Sequence, residues 1–242
     1  SDSYSRGGLD AIYALRGLYE LMLRHNLEYP CFFQQLYALV TASALEGTQR
    51  QTFVTHLSLF LSSQGLPAYV AAAFCKRLGR IALLASPCAA ALACALVYNV
   101  FLAQPTTRLL IHRPADSGNA NHAITTDPCD GVATDPHRSR ALESSLWELD
   151  TLRSHYCPAV SSIAAAFAAP ILPTSPPIDL EPLAALSPSA LFDLETRRKI
   201  QSVALASERA GHFLPSASTT TPLAQQAAAA FECWSATPTS AN

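Results

Sequence analysis

The sequence predicts an all-α protein, a HEAT- or armadillo-like helical-repeat solenoid with a long loop insertion and an irregular C-terminal tail. Three observations support this class. Alanine and leucine are abundant while glycine occurs only nine times in 242 residues, a composition that favours helices over sheets. Apolar residues recur at spacings of three and four, as they do along one face of a helix. Helix starts recur about every 20 residues, so helix pairs recur about every 40, the period of such arrays.

The first part of the helical-repeat domain is predicted over residues 1–113. Proline fits the first position of a helix, where its missing N–H costs nothing, and small polar residues fit the cap that precedes it. Helix starts are therefore expected near Leu9, Pro30, Thr48, Pro67 and Pro87. The apolar stripes of these helices run through Ile12, Leu15, Tyr19 and Met22; Phe33, Leu36, Tyr37 and Val40; Phe53, Leu57, Phe60 and Leu61; and Val70, Phe74, Leu78 and Ile81.

The helical periodicity stops across residues 114–136, which are rich in Asp, Asn, Gly and Pro. These are turn-forming residues, so the segment is predicted to be a flexible loop insertion. The second part of the helical-repeat domain is predicted over residues 137–170. It is expected to contain one continuous helix from about residue 136 to 156 and another over residues 158–169, because each begins with proline and continues with an apolar face.

The C-terminal part of the chain is predicted to be less regular. Residues 171–214 are expected to form a proline-rich linker and a C-terminal helix over residues 189–206, followed by a low-complexity tail over residues 215–242. The chain begins at Ser1 without a methionine or a secretory signal, so it is expected to be part of a longer protein.

One uncharged run, residues 81–104, is long enough to cross a bilayer. Ser86 and Pro87 interrupt it with a helix-start signature, alanine contributes little to insertion, and Asn99 is polar. Two buried solenoid helices that meet at Pro87 are therefore favoured over a membrane span. The membrane alternative would imply a protein of the nuclear envelope.

Composition argues against several functional classes. The net charge of −2 is unlike that of a protein that coats RNA. Seven irregularly spaced cysteines without a Cys-x-x-Cys pair fit a reducing compartment, with the thiols acting as small apolar groups. Neither a nucleophile elbow, a phosphate-binding glycine loop nor a zinc-type histidine pairing occurs in the sequence. No catalytic, cofactor-binding or metal-binding residue is therefore assigned, and no enzymatic activity is predicted.

A basic cluster is the best candidate contact site. Lys76, Arg77 and Arg80 are expected to share one side of a helix, opposite its apolar face. Either this side is simply a solvated face, or it contacts nucleic-acid phosphate or an acidic partner segment. The same two alternatives apply to Arg108 and Arg113, which flank an apolar stretch.

Trp147 is the remaining candidate contact residue. It is one of only two tryptophans in the chain and lies in the second part of the repeat domain. Large aromatic residues either fill the core or anchor a protein partner. Both interpretations of Trp147 stay open from the sequence.

Four segments resemble a known family: residues 24–30, 66–78, 108–114 and 139–149. The most informative is Ser139-Arg140-Ala141-Leu142-Glu143-Ser144-Ser145-Leu146-Trp147-Glu148-Leu149, whose length makes a chance match improbable. They are similar to the nucleolar complex proteins that carry a CCAAT-binding-factor (CBF) domain. The resemblance extends over about residues 7–214 and leaves the tail unmatched.

The resemblance implies a fold and a role. Members of this family are helical-repeat proteins of the nucleus and nucleolus, and the relevant members are non-enzymatic assembly factors of the small-subunit processome. The resemblance further implies a stable pair with nucleolar protein fourteen, contacts with other processome proteins, and a role in small-subunit rRNA maturation and export of the precursor particle. Direct binding of pre-rRNA through the basic helix face is the alternative, and membrane association is not expected.

Overall fold

The structure, a computed structural model, describes residues 8–25, 29, 31–63, 65–111, 127–130 and 135–198. These residues form α-helices and short 3₁₀ helices and no β-strand, so the predicted all-α class is confirmed. The α-helices in these ranges are α1 (Gly8–His25), α2 (Phe32–Leu39), α3 (Ala42–Glu46), α4 (Arg50–Leu61), α5 (Ala68–Leu84), α6 (Pro87–Ala103), α7 (Trp147–Leu152), α8 (Pro158–Ala165), α9 (Leu180–Ala185) and α10 (Pro188–Arg197).

The N-terminal helices follow the predicted spacing, with one addition. Pro30 lies outside the described residues, and α2 begins after Cys31, whose φ of 60° is left-handed. A short helix that the sequence did not predict, α3, is capped by Thr41, whose hydroxyl accepts a hydrogen bond from the Ala44 N–H at 3.3 Å. Helix α4 then starts at Arg50, close to the expected start at Thr48.

Helices α5 and α6 form the centre of the fold. The uncharged run breaks where the sequence predicts, because α5 ends at Leu84 and α6 begins at Pro87. Helix α6 is buried on nearly every side, and it contacts α3, α4, α5, α8, α9 and α10. A helix that is apolar all round fits such a central position. Among the described residues, no helix is both long and apolar enough to span a membrane.

The continuous helix predicted over residues 136–156 is wrong. The chain instead makes a turn, a 3₁₀ helix at Ala141–Glu143, an extended residue at Ser144 and then the short helix α7. Arg140 adopts a left-handed φ of 50°, and the Leu146 N–H donates to the Leu110 carbonyl at 2.9 Å. Tertiary contacts thus prevent this segment from forming one continuous helix in spite of its helical periodicity.

The segment after α8 returns across the earlier helices. Helix α9 packs against α4 and α6, and α10 also contacts α6. The Asn99 side chain on α6 exchanges two hydrogen bonds of 2.8 Å with the backbone of Ile178. Arg50 on α4 donates to the carbonyls of Ala184 and Leu186 at 2.6 and 2.7 Å. We call residues 171–186 the strap. The predicted extension of the last helix to residue 206 and the tail over residues 215–242 lie outside the described residues.

Candidate interaction site

Lys76 lies at the centre of the only part of the described chain where several charges are buried together. It occupies the middle of α5, and only 1% of its surface is exposed. Its ammonium group donates to the Ser145 carbonyl at 2.6 Å. It also contacts both carboxylate oxygens of Glu148, at 2.8 and 3.0 Å, and Asp127 Oδ2 at 2.8 Å. The ammonium is therefore surrounded by acceptors from residues 145–148, which we call the crossing segment, and from Asp127.

Asp127 accepts bonds from several directions. Besides Lys76, its carboxylate receives Arg80 Nη2 at 3.1 Å, Trp147 Nε1 at 3.0 Å and the Ser144 hydroxyl. Burial alone would raise the pKa of Asp127, but the hydrogen bonds from Lys76, Ser144 and Trp147 outweigh it and hold that pKa far below its usual range. A residue from the predicted flexible loop is therefore fixed to the folded array.

Glu148 completes this cluster from the first turn of α7. Its side chain is fully buried, and Arg80 Nε approaches Glu148 Oε1 at 3.5 Å. Burial raises the pKa of Glu148, and the neighbouring cations offset this only in part. We refer to Lys76, Arg80, Asp127 and Glu148 as the ion cluster.

Gly79 allows the crossing segment to approach α5 this closely. A Cβ atom at this position would lie 3.4 Å from both the Glu148 Cβ and the Leu146 Cδ2. A larger side chain would displace α7 and with it the carboxylate that pairs with Lys76. A Cβ at 3.4 Å is in ordinary van der Waals contact, so this position accepts a small residue but not a large one.

Arg77 points away from the ion cluster. Its Nε donates to the Val40 carbonyl at 2.7 Å, and its guanidinium carbon lies 4.5 Å from the centre of the Tyr37 ring. This stacking is the ordinary cation–π geometry. Arg77 forms no ion pair with a carboxylate among the residues that the structure describes.

A groove of about 380 Å³ opens between α5 and the α2–α3 turn. Its apolar wall consists of Val40, Ala42, Ile81 and Leu84, and Arg77 lines the same space. Leu84 is 91% exposed although it belongs to the last turn of α5. We call this space the Arg77 groove.

The structure separates the predicted basic face into buried and exposed parts. The expectation of a solvated face is wrong for Lys76, because its ammonium is buried and paired. Arg80 is partly exposed but already bonded to Asp127 and the Cys129 carbonyl, whereas Arg77 lines a groove. Any contact of these residues with rRNA or a partner stays a prediction.

The other candidate residues do not gather at this site. Arg108 lies in the 3₁₀ helix Pro105–Leu110 and donates to the Phe101 carbonyl at 2.9 Å, which caps the end of α6. Arg113 lies outside the described residues. The Trp147 ring covers the ion cluster, 5.4 Å from the Lys76 ammonium, while 46% of its surface stays exposed. A role of Trp147 as an anchor for a partner stays a prediction.

Sequence reasoning missed Asp127 and Glu148 as partners of Lys76. One signal was present: Lys76 follows eight consecutive apolar residues, Ala68 to Cys75, at the start of α5. A lysine in that setting needs a buried counter-charge. Within the described ranges, no group of three or more His, Cys, Asp or Glu residues is arranged to hold a metal ion.

Comparisons with known proteins give a consistent picture. Residues 11–164 match the model of the CBF/Mak21 family. The chain is 41% identical over 194 residues to a nucleolar complex protein 4 homolog of Mus musculus, covering 80% of this chain and 36% of that protein. The corresponding Homo sapiens protein is 40% identical over 193 residues, with the same coverages. The Arabidopsis thaliana protein named nucleolar complex associated 4 is 35% identical over 223 residues, covering 84% and 39%. The chain thus spans little more than a third of the length of these relatives.

Proposed function

The chain belongs to the CBF/Mak21 family, and on this basis we propose that it is a non-enzymatic ribosome biogenesis factor that acts in the nucleolus. In this role it is a scaffold of the small-subunit processome, pairs with nucleolar protein fourteen, and supports small-subunit rRNA maturation and export of the precursor particle. The observation that carries the proposal is the 41% identity, over 80% of the chain, to a protein named for a nucleolar complex.

The arrangement of charged groups supports a scaffold. The carboxylates and cations of the ion cluster neutralise one another inside the protein, where they fix α7 and Asp127 to α5. Such internal pairs give a defined surface rather than a reactive centre. An array of packed helices also exposes a long surface on which contacts to a partner add up.

Direct binding of pre-rRNA is the second candidate function. The observation in its favour is that the guanidinium groups of Arg77 and Arg80 keep part of their surface exposed. The opposing observation is the net charge of −2, because nucleic-acid binding draws most of its affinity from the release of counterions around phosphate.

Affinity purification of the tagged full-length protein from nuclear extract tests both proposals. We expect nucleolar protein fourteen and small-subunit precursors to be recovered together, and the protein pair to survive nuclease treatment. Loss of the pair after nuclease treatment would show that the chain reaches the particle through RNA. Recovery of neither the protein nor the precursor would contradict the proposed function as a whole.

A further inference from the structure

We propose that the Arg77 groove binds an extended segment of a protein partner in which an aspartate or glutamate lies beside a large apolar residue. This inference deepens the proposed scaffold function and rests on it. It names the surface used and the chemistry of the segment that occupies it.

The Arg77 guanidinium is positioned in advance for a carboxylate. The Val40 carbonyl holds Nε at 2.7 Å and the Tyr37 ring supports the flat face at 4.5 Å, so the side chain is fixed at two points. The fork of an arginine matches the two oxygens of a carboxylate, and a fork that is already fixed loses little entropy on binding. The terminal N–H groups are therefore positioned to donate hydrogen bonds to a negatively charged group.

Arg77 differs from its two basic neighbours in its charge balance. Lys76 and Arg80 are each paired with Asp127 and Glu148, whereas Arg77 has no carboxylate partner within the described part of the chain. An incoming carboxylate would supply the missing counter-charge without displacing an existing pair. This is charge complementarity at a single defined point.

The apolar wall of the groove favours a peptide over a nucleic acid. Leu84, 91% exposed, and Ile81 line the groove on the α5 side, and Ala42 lines it beside the fully buried Val40. Of the three cations that line the groove, Lys76 and Arg80 are already paired with Asp127 and Glu148, and the carboxylate of Asp130 belongs to the same lining. A phosphate backbone needs a patch with an excess of positive charge, which is lacking here. A volume of about 380 Å³ falls within the range of about 300–1,000 Å³ typical of ligand clefts.

A photo-crosslinking residue at position 84 tests the identity of the occupant. In the tagged full-length protein expressed in cells, we expect Leu84→p-benzoylphenylalanine to capture a protein segment with an acidic residue next to an apolar one. Capture of RNA at this position, or no capture on irradiation, would overturn the inference. The same substitution at Leu194, which is 59% exposed on α10, is the matched control and should not capture that segment.

Two substitutions test the contribution of each half of the groove. Leu84→Asp should lower the recovery of the captured partner about tenfold, as expected for loss of a central contact. Arg77→Lys keeps the charge but removes the fork and should lower recovery as well. Leu194→Asp and Arg153→Lys are the matched controls and should leave it unchanged.

These variants separate the inference from the proposed function. Because Leu84 is almost fully exposed, Leu84→Asp should fold normally even if Arg77→Lys does not, and circular dichroism checks this. Full partner recovery by a folded Leu84→Asp variant would contradict the groove assignment and leave the scaffold role standing. Failure of the unsubstituted protein to recover any small-subunit precursor would contradict the scaffold role itself.

Discussion

The charge on Lys76 is stabilised by the crossing segment and by Asp127. Removing one member of a buried ion pair leaves the other without compensation, which costs about 3–5 kcal/mol. Lys76→Met leaves the buried carboxylate of Glu148 without its ammonium partner, so we expect this variant to lower the free energy of unfolding by roughly that amount, measured by urea denaturation. Both residues are completely enclosed, so water cannot replace the lost partner.

The double variant and an exposed pair serve as controls for this prediction. Lys76→Met combined with Glu148→Leu removes both charges and should recover much of the stability lost in the single variant. Arg153→Ala breaks the exposed pair with Asp150, and should change the free energy of unfolding by only about 0–1 kcal/mol. Equal losses in the double and single variants would show that packing, not charge, holds the segment.

The carboxylate of Asp127 should make the free energy of unfolding depend on pH in the acidic range. Its pKa is depressed in the folded state, so the unfolded chain binds its proton first and the stabilisation is complete above the ordinary value of 3.8. As the pH falls from about 4 toward the folded pKa, this stabilisation is lost. We expect Asp127→Asn to weaken the fall in stability over that range, measured by urea unfolding from pH 2.5 to 6. Asp150→Asn, which removes one exposed negative charge, is the control.

Glu148 should change the pH dependence of stability in the opposite direction. Its pKa is raised in the folded state, so the folded chain holds the proton more tightly above the ordinary value of 4.5. Stability therefore falls as the pH rises from about 4.5 through the folded pKa. Glu148→Gln should remove this decline, and a variant that retained it would assign the effect to another group.

Single-residue environments were the least predictable part of the site. Lys76, Arg77 and Arg80 lie on one helix as predicted, but they do not share one environment, because Arg77 contacts Tyr37 and Val40 instead. The environments of Lys76 and Arg80 depend on Asp127 and Glu148, which lie 51 and 72 residues from Lys76. Helical periodicity identifies the residues that share a face. It carries no information on which distant segment will cover that face.

At the level of elements, the strap is attached to the central helices by few, well-defined bonds. Asn99→Ala would remove both hydrogen bonds to the Ile178 backbone, at a cost of about 1–3 kcal/mol. We expect faster amide hydrogen exchange across residues 171–186, while α5 and α6 remain protected. Mass spectrometry after deuterium labelling measures the difference.

The matched control is Gln51→Ala, which removes an exposed side-chain amide on α4 and should not change hydrogen exchange in the strap. Adding Arg50→Ala to Asn99→Ala should increase exchange further, because Arg50 holds two carbonyls at the other end of the strap. Uniform exchange across α5, α6 and the strap in the double variant would contradict a locally held element and indicate one cooperative unit.

Element boundaries could be predicted where proline or a cap decides them and not where tertiary contacts do. The break at Pro87 and the start of α8 at Pro158 follow from proline alone. The region from 136 to 156 has helical spacing, yet the left-handed Arg140 and the bond from Leu146 to Leu110 divide it. The short helix α3 has too few residues for periodicity to show.

At the scale of the whole molecule, the reactivity of the cysteine thiols shows whether the central helices are packed. Cys75 on α5 and Cys94 on α6 are fully buried, and burial raises the pKa of both, that of Cys94 to about 12. Because the thiolate is the reactive form, both should resist alkylation in the folded protein, whereas the exposed Cys31 should react readily.

Timed alkylation with mass-spectrometric readout tests this prediction. Cys75 and Cys94 should become reactive at the same denaturant concentration, since the packed pair α5–α6 must open to expose either thiol. Reaction of Cys94 well before Cys75 would show that α6 can leave the array separately.

The all-α class of the fold could be predicted from the amino-acid composition and from the spacing of apolar residues, because both are averages over many residues. The sequence predicts that α6 is buried, because the helix is apolar on all sides. It does not predict which six helices contact α6. The return of the strap onto α4 and α6 depends on Asn99 and Arg50, two polar residues with no distinguishing sequence pattern.

The distance along the chain between Lys76 and Glu148 also has a consequence for synthesis. The two residues are 72 positions apart, so at about 5–20 residues per second a ribosome needs about 4–14 s to add the second after the first. During that interval α5 has already been made, but its lysine lacks Glu148 and, until 51 residues have been added, Asp127 as well. The surface beside Gly79 therefore stays uncovered until translation delivers the segment that closes it.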